Sequence, residues 1–354
     1  MKGSLSLFVL PAVLASGTAL ADPVADFYKG KQMTFVIRSN VGGGYDQYSR
    51  LLGRHIVKHI PGHPTMLPIN MPGGGGLQAA NFIAKAAPKD GTHLTMVSQG
   101  LPMDQALGLS KGLQADMKTF NWIGNMSDSN QVTVTWHTSP TKTIQDAMNR
   151  ETVIGATGAG SISTQIPAVL NNVVGTKFKV IFGYPGGSEI NLAMERGELE
   201  GRATNPWASY VSVTPHYVNE KKINIIVQVG VRKDKDLPNV PLMRELAKNP
   251  EDQAILDYVS KATAVGRPVG TTPDVPQERV AALRKAFDDT LNDPEFKAEA
   301  DKQKMEISPM SGAELQQLIA DLIDAPHDLL EKVRQVTNTR DAKELPGTKP
   351  SSGK

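Results

Sequence analysis

The amino-acid sequence predicts an α/β protein with two lobes, each built on a doubly wound sheet. The chain has 354 residues, which corresponds to two domains at about 100–200 residues per domain. Short β-prone runs alternate with amphipathic helical stretches in two blocks, residues 33–98 and 152–204. Two long β-prone segments, residues 120–136 and 223–231, connect the blocks. Two α/β blocks joined by two crossover strands are expected to enclose a cleft.

The first block shows the order that is typical of a parallel sheet. Met33–Ile37 has the character of a buried strand, and the next helix has apolar residues at helical spacing until Pro61-Gly62 ends it. Strands and helices then alternate with short loops. The predicted elements are strand 33–37, helix 47–60, strand 66–70, helix 77–87 and strand 92–98.

The second block repeats this alternation, and the remainder of the chain is mainly helical. Asp293 is expected to cap a helix that has Pro294 at its first position. Ser311 and Glu314 form a capping box that opens a long helix, which we expect to bend at Pro326. The other predicted elements are strand 152–156, helix 163–174, strand 178–182, helix 188–197, strands 199–204 and 223–231, and helix 276–291.

The two ends of the chain are predicted to lie outside the fold. Residues 1–21 have a basic start, an apolar run and a small-x-small site, which predicts a signal peptide cleaved after Ala21 and export to the periplasm. The alternative is a retained interfacial segment. Residues 337–354 lack periodicity and are expected to form a disordered tail. Between them we expect one lobe from residues 22–127 plus 231–336 and a second from residues 128–230.

Composition excludes several function classes. There are 38 Lys and Arg residues against 36 Asp and Glu, a net charge of +2, so we expect no nucleic-acid partner. The absence of cysteine excludes disulfides, thiolate catalysis and iron–sulfur ligation. His55 and His59 have a metal-ligand spacing, but neither an H-E-x-x-H pattern nor a G-x-S-x-G elbow is present. We therefore predict no catalytic residue, no metal site and no cofactor.

Two glycine-rich loops are the strongest candidates for ligand binding. Gly42-Gly43-Gly44 and residues 155–161 each lie between a strand and a helix, where exposed backbone amides attract an anion. Neither loop is a dinucleotide fingerprint, and Ser161 stands where a phosphate-binding loop requires lysine. Either loop alone could be a plain tight turn. Their equivalent positions in the two blocks favour a binding role.

Several segments together resemble the Bug family, the periplasmic substrate-binding receptors of tripartite tricarboxylate transporters. No single piece is specific, but their order and spacing are. The resemblance covers residues 31–330. The matching stretches are residues 35–50, 70–98, 155–167, Tyr184-Pro-Gly-Gly, Leu237-Pro-Asn-Val-Pro241 and Gly270-Thr-Thr-Pro273.

The resemblance implies a fold and a ligand. It implies a two-lobed type II periplasmic binding protein fold that holds a carboxylate between loops 40–46 and 157–163. Two arginines depart from the family pattern, because apolar residues or proline usually stand near Arg38 and Arg202. The expected ligand-binding residues are Arg38, Asn40, Gly42, Gly43, Gly44, Asp46, Ser98, Thr157, Gly158, Ala159, Gly160, Ser161, Ser163, Tyr184, Arg202 and Asn205.

Four of these residues have structural alternatives. Asp46 can be a helix N-cap, and Tyr184 can pack at the interlobe hinge. Arg38 can pair with Asp46 or Asp104, and Arg202 with Glu200. If both arginines instead contact the ligand, that ligand carries two carboxylates.

The expected function is a monomeric, non-enzymatic receptor. It would capture a small organic acid and deliver it to the membrane subunits of a tripartite transporter. The lobes would close by hinging near residues 125–132 and 228–231. The alternatives are an exported hydrolase or metal-dependent enzyme on the same scaffold, and a scavenger or sensor partner with no transporter.

Overall fold

The structure is a computed structural model that describes residues 22–128, 130–158, 161–337 and 343–344. The predicted signal peptide, residues 1–21, lies outside the described residues. So do residues 338–342 and 345–354 of the predicted tail. In the described ranges, no helix combines the length and the apolar character needed to span a membrane.

Twelve strands and fourteen α-helices make up the described fold. The strands are β1 (Gln32–Ile37), β2 (Thr65–Asn70), β3 (His93–Met96), β4 (Asn121–Asn125), β5 (Gln131–Trp136), β6 (Thr152–Ala156), β7 (Phe178–Phe182), β8 (Gly201–Pro206), β9 (Ile223–Val229), β10 (Pro268–Thr271), β11 (Met310–Ser311) and β12 (Lys343–Glu344). The helices are α1 (Pro23–Tyr28), α2 (Gly44–Ile56), α3 (Leu77–Lys85), α4 (Leu101–Leu107), α5 (Ile144–Asn149), α6 (Ile162–Val169), α7 (Gly187–Glu195), α8 (Trp207–Ser212), α9 (Pro215–Asn219), α10 (Pro250–Ala262), α11 (Gln277–Asn292), α12 (Pro294–Lys302), α13 (Gly312–Ile323) and α14 (His327–Val336).

The strands form two six-stranded sheets, one at the centre of each lobe. The first lobe has the order β11-β4-β10-β3-β1-β2, and the second has β12-β7-β6-β8-β5-β9. In the first sheet β1 is parallel to β2 and β3, whereas β10 is antiparallel to β3 and β4. In the second, β6 is parallel to β7 and β8, and β5 is antiparallel to β8 and β9. The predicted two-lobed α/β fold with two doubly wound sheets is therefore confirmed.

The chain differs from the predicted elements at three places. The β-prone run 120–136 divides into β4 and β5, which belong to different sheets because the chain crosses between the lobes there. The helix expected to bend at Pro326 is broken into α13 and α14. Lys343–Glu344, in the segment expected to be disordered, pairs in parallel with β7. The capping roles of Asp293 and Ser311 are confirmed.

The crossover from β4 to β5 lies against the segment that precedes β10. The Arg267 amide donates to Ser127 O at 3.0 Å and to Asn125 Oδ1 at 2.7 Å. The Met126 amide donates to Arg267 O at 3.2 Å. Gly266 is required here, because a Cβ built on it would lie 2.0 Å from Ser127 O. This pairing fixes residue 267 at the junction of the two lobes.

Candidate ligand-binding site

A small cavity of about 60 Å³ lies between the lobes. Three helices begin at its wall, with N-cap residues Gly43 for α2, Ser161 for α6 and Gly186 for α7. Helix N-termini carry partial positive charge and unpaired amides, so they favour an anion. The side chains that line the cavity are Arg38, Ser39, Tyr45, Ser98, Gln99, Gln131, Thr157, Ser161, Ile162, Ser163, Ser188, Asn191, Arg202, Thr204, Asn205, Pro206, Ser209, Val213 and Arg267.

Arg38 follows the last residue of β1 and reaches into the cavity, as predicted from its place at a strand end. Its side chain is buried, and its guanidinium carbon lies 4.5 Å from the centre of the Tyr45 ring. Its Nε meets no hydrogen-bond partner within the residues that the structure describes. Removal from water lowers the pKa of Arg38 below the usual arginine value.

Arg202 also lines the cavity, but it reaches it differently from the prediction. It is the second residue of β8 rather than a residue at the carboxyl end. The strand begins late, so Arg202 lies level with Gly155, one residue before the end of β6. Its Nη1 donates to Asn191 Oδ1 at 2.9 Å and its Nη2 to Asn205 Oδ1 at 2.7 Å.

The pKa of the Arg202 guanidinium is lowered below the usual arginine value. Burial is the main cause; Tyr210 and Tyr217 act in the opposite direction, and the charges of Arg267 and Arg38 lower this pKa further. Among the described residues its Nε has no hydrogen-bond partner. The cavity therefore holds several cations close enough to repel one another.

The local ion pairs that would explain the two arginines do not form. Asp46 pairs with Arg50 instead, at 2.8 Å. Glu200 Oε2 lies 2.6 Å from Arg150 Nη1. Asp104 accepts from Ser110 Oγ at 3.0 Å. These alternatives for Arg38 and Arg202 are wrong in the described part of the chain, because other side chains lie closer to each carboxylate.

Arg267 is a third arginine of the cavity, and the sequence reasoning missed it. Only 2% of it is exposed. Its Nη2 donates to Ser209 Oγ at 2.6 Å, across the cleft, while its Nη1 has no hydrogen-bond partner in the described part of the chain. The guanidinium carbon lies 4.3 Å from the Tyr48 ring centre and 4.9 Å from that of Tyr45. The sequence offered one signal for this residue: Arg267 stands just before the β-prone segment Pro268–Thr271.

Nine of the sixteen predicted ligand-binding residues line the cavity, and five described ones do not. Ala159 and Gly160 lie outside the described residues. The nine are Arg38, Gly43, Gly44, Ser98, Thr157, Ser161, Ser163, Arg202 and Asn205. The five that lie elsewhere are Asn40, Gly42, Asp46, Gly158 and Tyr184.

Asp46 and Gly42 shape the first glycine loop from behind. The Asp46 carboxylate accepts from the Gly42 amide at 3.0 Å and from Asn70 Nδ2 at 2.8 Å, in addition to its ion pair with Arg50. Asp46 is the third residue of α2, and the N-cap is Gly43. Its expected role as an N-cap is therefore wrong in position, although it does hold the helix start.

Asn40, Gly158 and Tyr184 make contacts other than cavity lining. Asn40 Nδ2 donates to Glu189 Oε1 of the second lobe at 2.7 Å. A Cβ on Gly158 would lie 2.7 Å from the Gly75 amide nitrogen of the first lobe. Tyr184 is buried in a small apolar cluster with Ile190, Ala193 and Leu199. The first two residues thus join the lobes, and Tyr184 packs within the second lobe.

The strict need for glycine in the first loop lies at Gly42 and Gly44. Gly42 has a φ of +89°, which favours glycine. A Cβ on Gly44 would lie 2.5 Å from Ser209 Oγ and 2.7 Å from Arg267 Nη2. Gly43 has a φ of −81°, and its Cβ would have nothing closer than Ser39 Oγ at 3.9 Å. The close packing of the two lobes therefore centres on Gly44.

Comparison with known proteins identifies the family to which the chain belongs. The model of the family described as "Tripartite tricarboxylate transporter family receptor" matches residues 56–334. No curated protein matches the chain. The periplasmic binding protein BugD has a similar structure, with a TM-score of 0.69 and 16% identity over 90% of this chain and 100% of BugD.

Two other solved structures are similar to this fold. A protein of R. palustris solved with adipate has a TM-score of 0.67 and 17% identity over 89% of this chain and 99% of that one. MatC from Rhodopseudomonas palustris, solved with bound malate, has a TM-score of 0.67 and 19% identity over 87% and 99%. The family match covers most of the chain and confirms the resemblance seen in the sequence: the protein belongs to the receptor family of the tripartite tricarboxylate transporters.

Proposed function

We propose that this receptor captures a small organic carboxylate between its two lobes and delivers it to the membrane subunits of a tripartite transporter. One observation carries the proposal: three helix N-termini and three buried arginines meet at one cavity whose described lining contains no acidic side chain. A carboxylate accepts hydrogen bonds from amides and from guanidinium groups without further rearrangement. The adipate and malate bound by two proteins of similar fold agree with this ligand class.

The lining favours binding over catalysis. Its described polar side chains are guanidinium, hydroxyl and amide groups. General acid–base chemistry needs a group whose pKa is near the working pH within reach of the substrate. We therefore propose a non-enzymatic receptor over an exported hydrolase or metal-dependent enzyme. NMR spectra of a bound ligand after prolonged incubation with the protein test this, and any turnover would contradict it.

Arg38 and Arg202 are proposed to contact the ligand from opposite lobes. None of the three sequence-predicted ion pairs that would satisfy them internally forms among the described residues: Asp46 and Glu200 pair with other arginines, and Asp104 accepts from Ser110. An arginine fork matches a carboxylate in a bidentate manner. The Gly44 amide at the start of α2 would hold a carboxylate from the wall of the first lobe. We infer that the ligand is a dicarboxylate.

The proposal includes the site of action and the lobe movement. We propose that residues 1–21 are removed after Ala21, that the mature monomer works in the periplasm, and that the lobes hinge near residues 125–132 and 228–231. The lobe boundaries at residues 127–128 and 230–231 are part of this proposal. The assignment of β1–β4 and β10–β11 to one sheet and β5–β9 to the other supports them.

Thermal-shift screening of a carboxylate library tests the function directly. The protein should start at Asp22. A ligand at 100 times its dissociation constant adds about 2.7 kcal/mol to the free energy of unfolding, which moves the melting temperature measurably. Isothermal titration calorimetry on the hits gives the affinities. A library that produces no shift with any carboxylate would overturn the proposed function.

A further inference from the structure

The cavity contains more positive charge than one carboxylate can balance. Arg38, Arg202 and Arg267 are 7%, 9% and 2% exposed, and each has a buried nitrogen that meets no hydrogen-bond partner among the described residues. Buried like charges in one cavity repel one another. A negatively charged ligand would relieve this repulsion.

The carboxylates of adjacent elements do not supply this charge. Asp46 pairs with Arg50 behind the first loop, and Asp104 accepts from Ser110. Glu189 Oε1 accepts from Asn40, and its Oε2 is buried with no hydrogen-bond partner among the described residues. None of these acids is among the described residues that line the cavity. The ligand is therefore the natural counter-ion.

The size of the cavity limits that ligand. Its volume is about 60 Å³. A cavity of this small volume, in this closed arrangement, favours a short diacid over a long flexible one.

Arg267 is placed to respond to the charge of the ligand. Its backbone is hydrogen-bonded to the crossover at Asn125 and Ser127, and its Nη2 reaches Ser209 of the other lobe. Tyr45 and Tyr48 hold its guanidinium from one side. Because Arg267 lines the cavity, a second negative charge on the ligand would lie near its guanidinium in the closed arrangement of the lobes.

We infer that the cavity selects a compact oxyanion with at least two negative charges, and that Arg267 provides this charge selectivity. The inference rests on the proposed function, because it assumes that the cavity is the ligand site. Within carboxylates, it assigns short dicarboxylates such as malonate. Inorganic sulfate and phosphate share the same chemistry and form separate arms of the test.

Calorimetry with matched ligands tests the inference. Malonate and malonamate have nearly the same shape but differ by one negative charge, and adipate supplies a longer dianion. We expect malonate to bind about 10- to 100-fold more tightly than malonamate, as expected when one charged hydrogen bond is lost. Adipate should bind more weakly than malonate.

Variants of Arg267 assign the effect to that residue. In Arg267→Met, malonate should lose about 10- to 100-fold in affinity and malonamate less than about threefold. Arg267→Lys should keep part of the preference, since it keeps the charge. Arg279→Met is the control: this arginine of the first lobe also lies over an aromatic ring, Phe27, but outside the cavity. It should leave both affinities unchanged.

The outcomes separate the inference from the proposed function. Equal binding of malonate and malonamate, or tighter binding of adipate than of malonate, would overturn the inference and leave the receptor intact. If sulfate or phosphate binds more tightly than any carboxylate, the charge selectivity is supported and the assignment of a carboxylate ligand is overturned. No binding of any carboxylate, sulfate or phosphate would overturn both. If Arg267→Met does not fold, the affinities of the same ligands for the parent protein and for Arg267→Lys still test the inference.

Discussion

Gly158→Ala is expected to weaken ligand binding by preventing full closure of the lobes. In the structure Gly158 of the second lobe lies against the turn at Gly74 and Gly75 of the first. A Cβ on residue 158 would lie 2.7 Å from the Gly75 amide nitrogen and 3.0 Å from the Gly74 carbonyl carbon. Both are backbone atoms and cannot rotate away. A methyl group at residue 158 would therefore keep the two lobes from packing as closely as they do in the structure.

The magnitude follows from that overlap. Ordinary contact begins near 3.4 Å, so the lobes must separate by about 0.7 Å at this point. Inserting a methyl group into a packed site costs about 1–3 kcal/mol, and each 1.4 kcal/mol is tenfold in affinity, so the dissociation constant should rise about 5- to 150-fold. The melting temperature without ligand should change much less than the affinity, because the added methyl group contacts only the surface between the lobes.

Calorimetry with the tightest carboxylate, together with small-angle scattering, measures both parts of this prediction. The matched control is Gly112→Ala. Its Cβ would meet nothing closer than Leu77 Cδ1, at 3.9 Å, and the residue lies outside the cavity. Unchanged affinity in Gly158→Ala would refute the idea that binding requires this contact. An equal loss in Gly112→Ala would show that the effect is not specific to the cleft.

Three further predictions concern the cavity, the lobes and pH. Arg38→Met and Arg202→Met should each weaken a dicarboxylate by about 10- to 100-fold and barely change a matched monocarboxylate; calorimetry with both ligands checks this, and equal losses would indicate a structural role. Saturating ligand should lower the radius of gyration in small-angle scattering if the crossovers act as hinges, and tight binding with no change would contradict hinging. Burial raises the pKa of Asp104 to about 6. The folded state therefore binds more protons than the unfolded state between about pH 4 and 6. As pH rises through that window, the free energy of unfolding should fall by roughly 3 kcal/mol. Chemical denaturation of Asp104→Asn should lack this fall, and an unaltered pH profile would count against the buried carboxyl as its source.

The repeating part of the fold could be predicted from local sequence. Strands 152–156 and 178–182 were predicted with the observed bounds, and α7 within two residues at each end. Short β-prone runs that lie between polar and glycine-containing turns leave little choice of element. The run 120–136 was expected to carry the chain between the lobes near residues 125–132, but its division into two strands, β4 and β5, was not predicted, because a continuous β-prone run does not show where one strand ends and the next begins.

The candidate site was predicted best where it follows strand ends and glycine loops. Arg38, Ser98, Thr157 and Ser163 line the cavity because the carboxyl ends of parallel strands meet at one edge. For Tyr184 the sequence left cleft lining and hinge packing open, and in the structure its ring packs with Ile190 and Leu199. A sequence motif does not show which of two neighbouring surfaces a side chain contacts, because that depends on tertiary packing.

Arg267 shows why the rest of the site could not be predicted. It has no glycine motif, and the residues that place it are far away in sequence: its amide is held by Asn125, and its Nη2 reaches Ser209. The chain brings these together only because β10 inserts between β3 and β4 in the first sheet after the chain has passed through the second lobe. That same path makes residue 267 part of the junction on which the lobes are proposed to hinge. A charge that is both at the junction and in the cavity connects ligand binding with closure, so specificity in this receptor would depend on topology as much as on the two glycine loops.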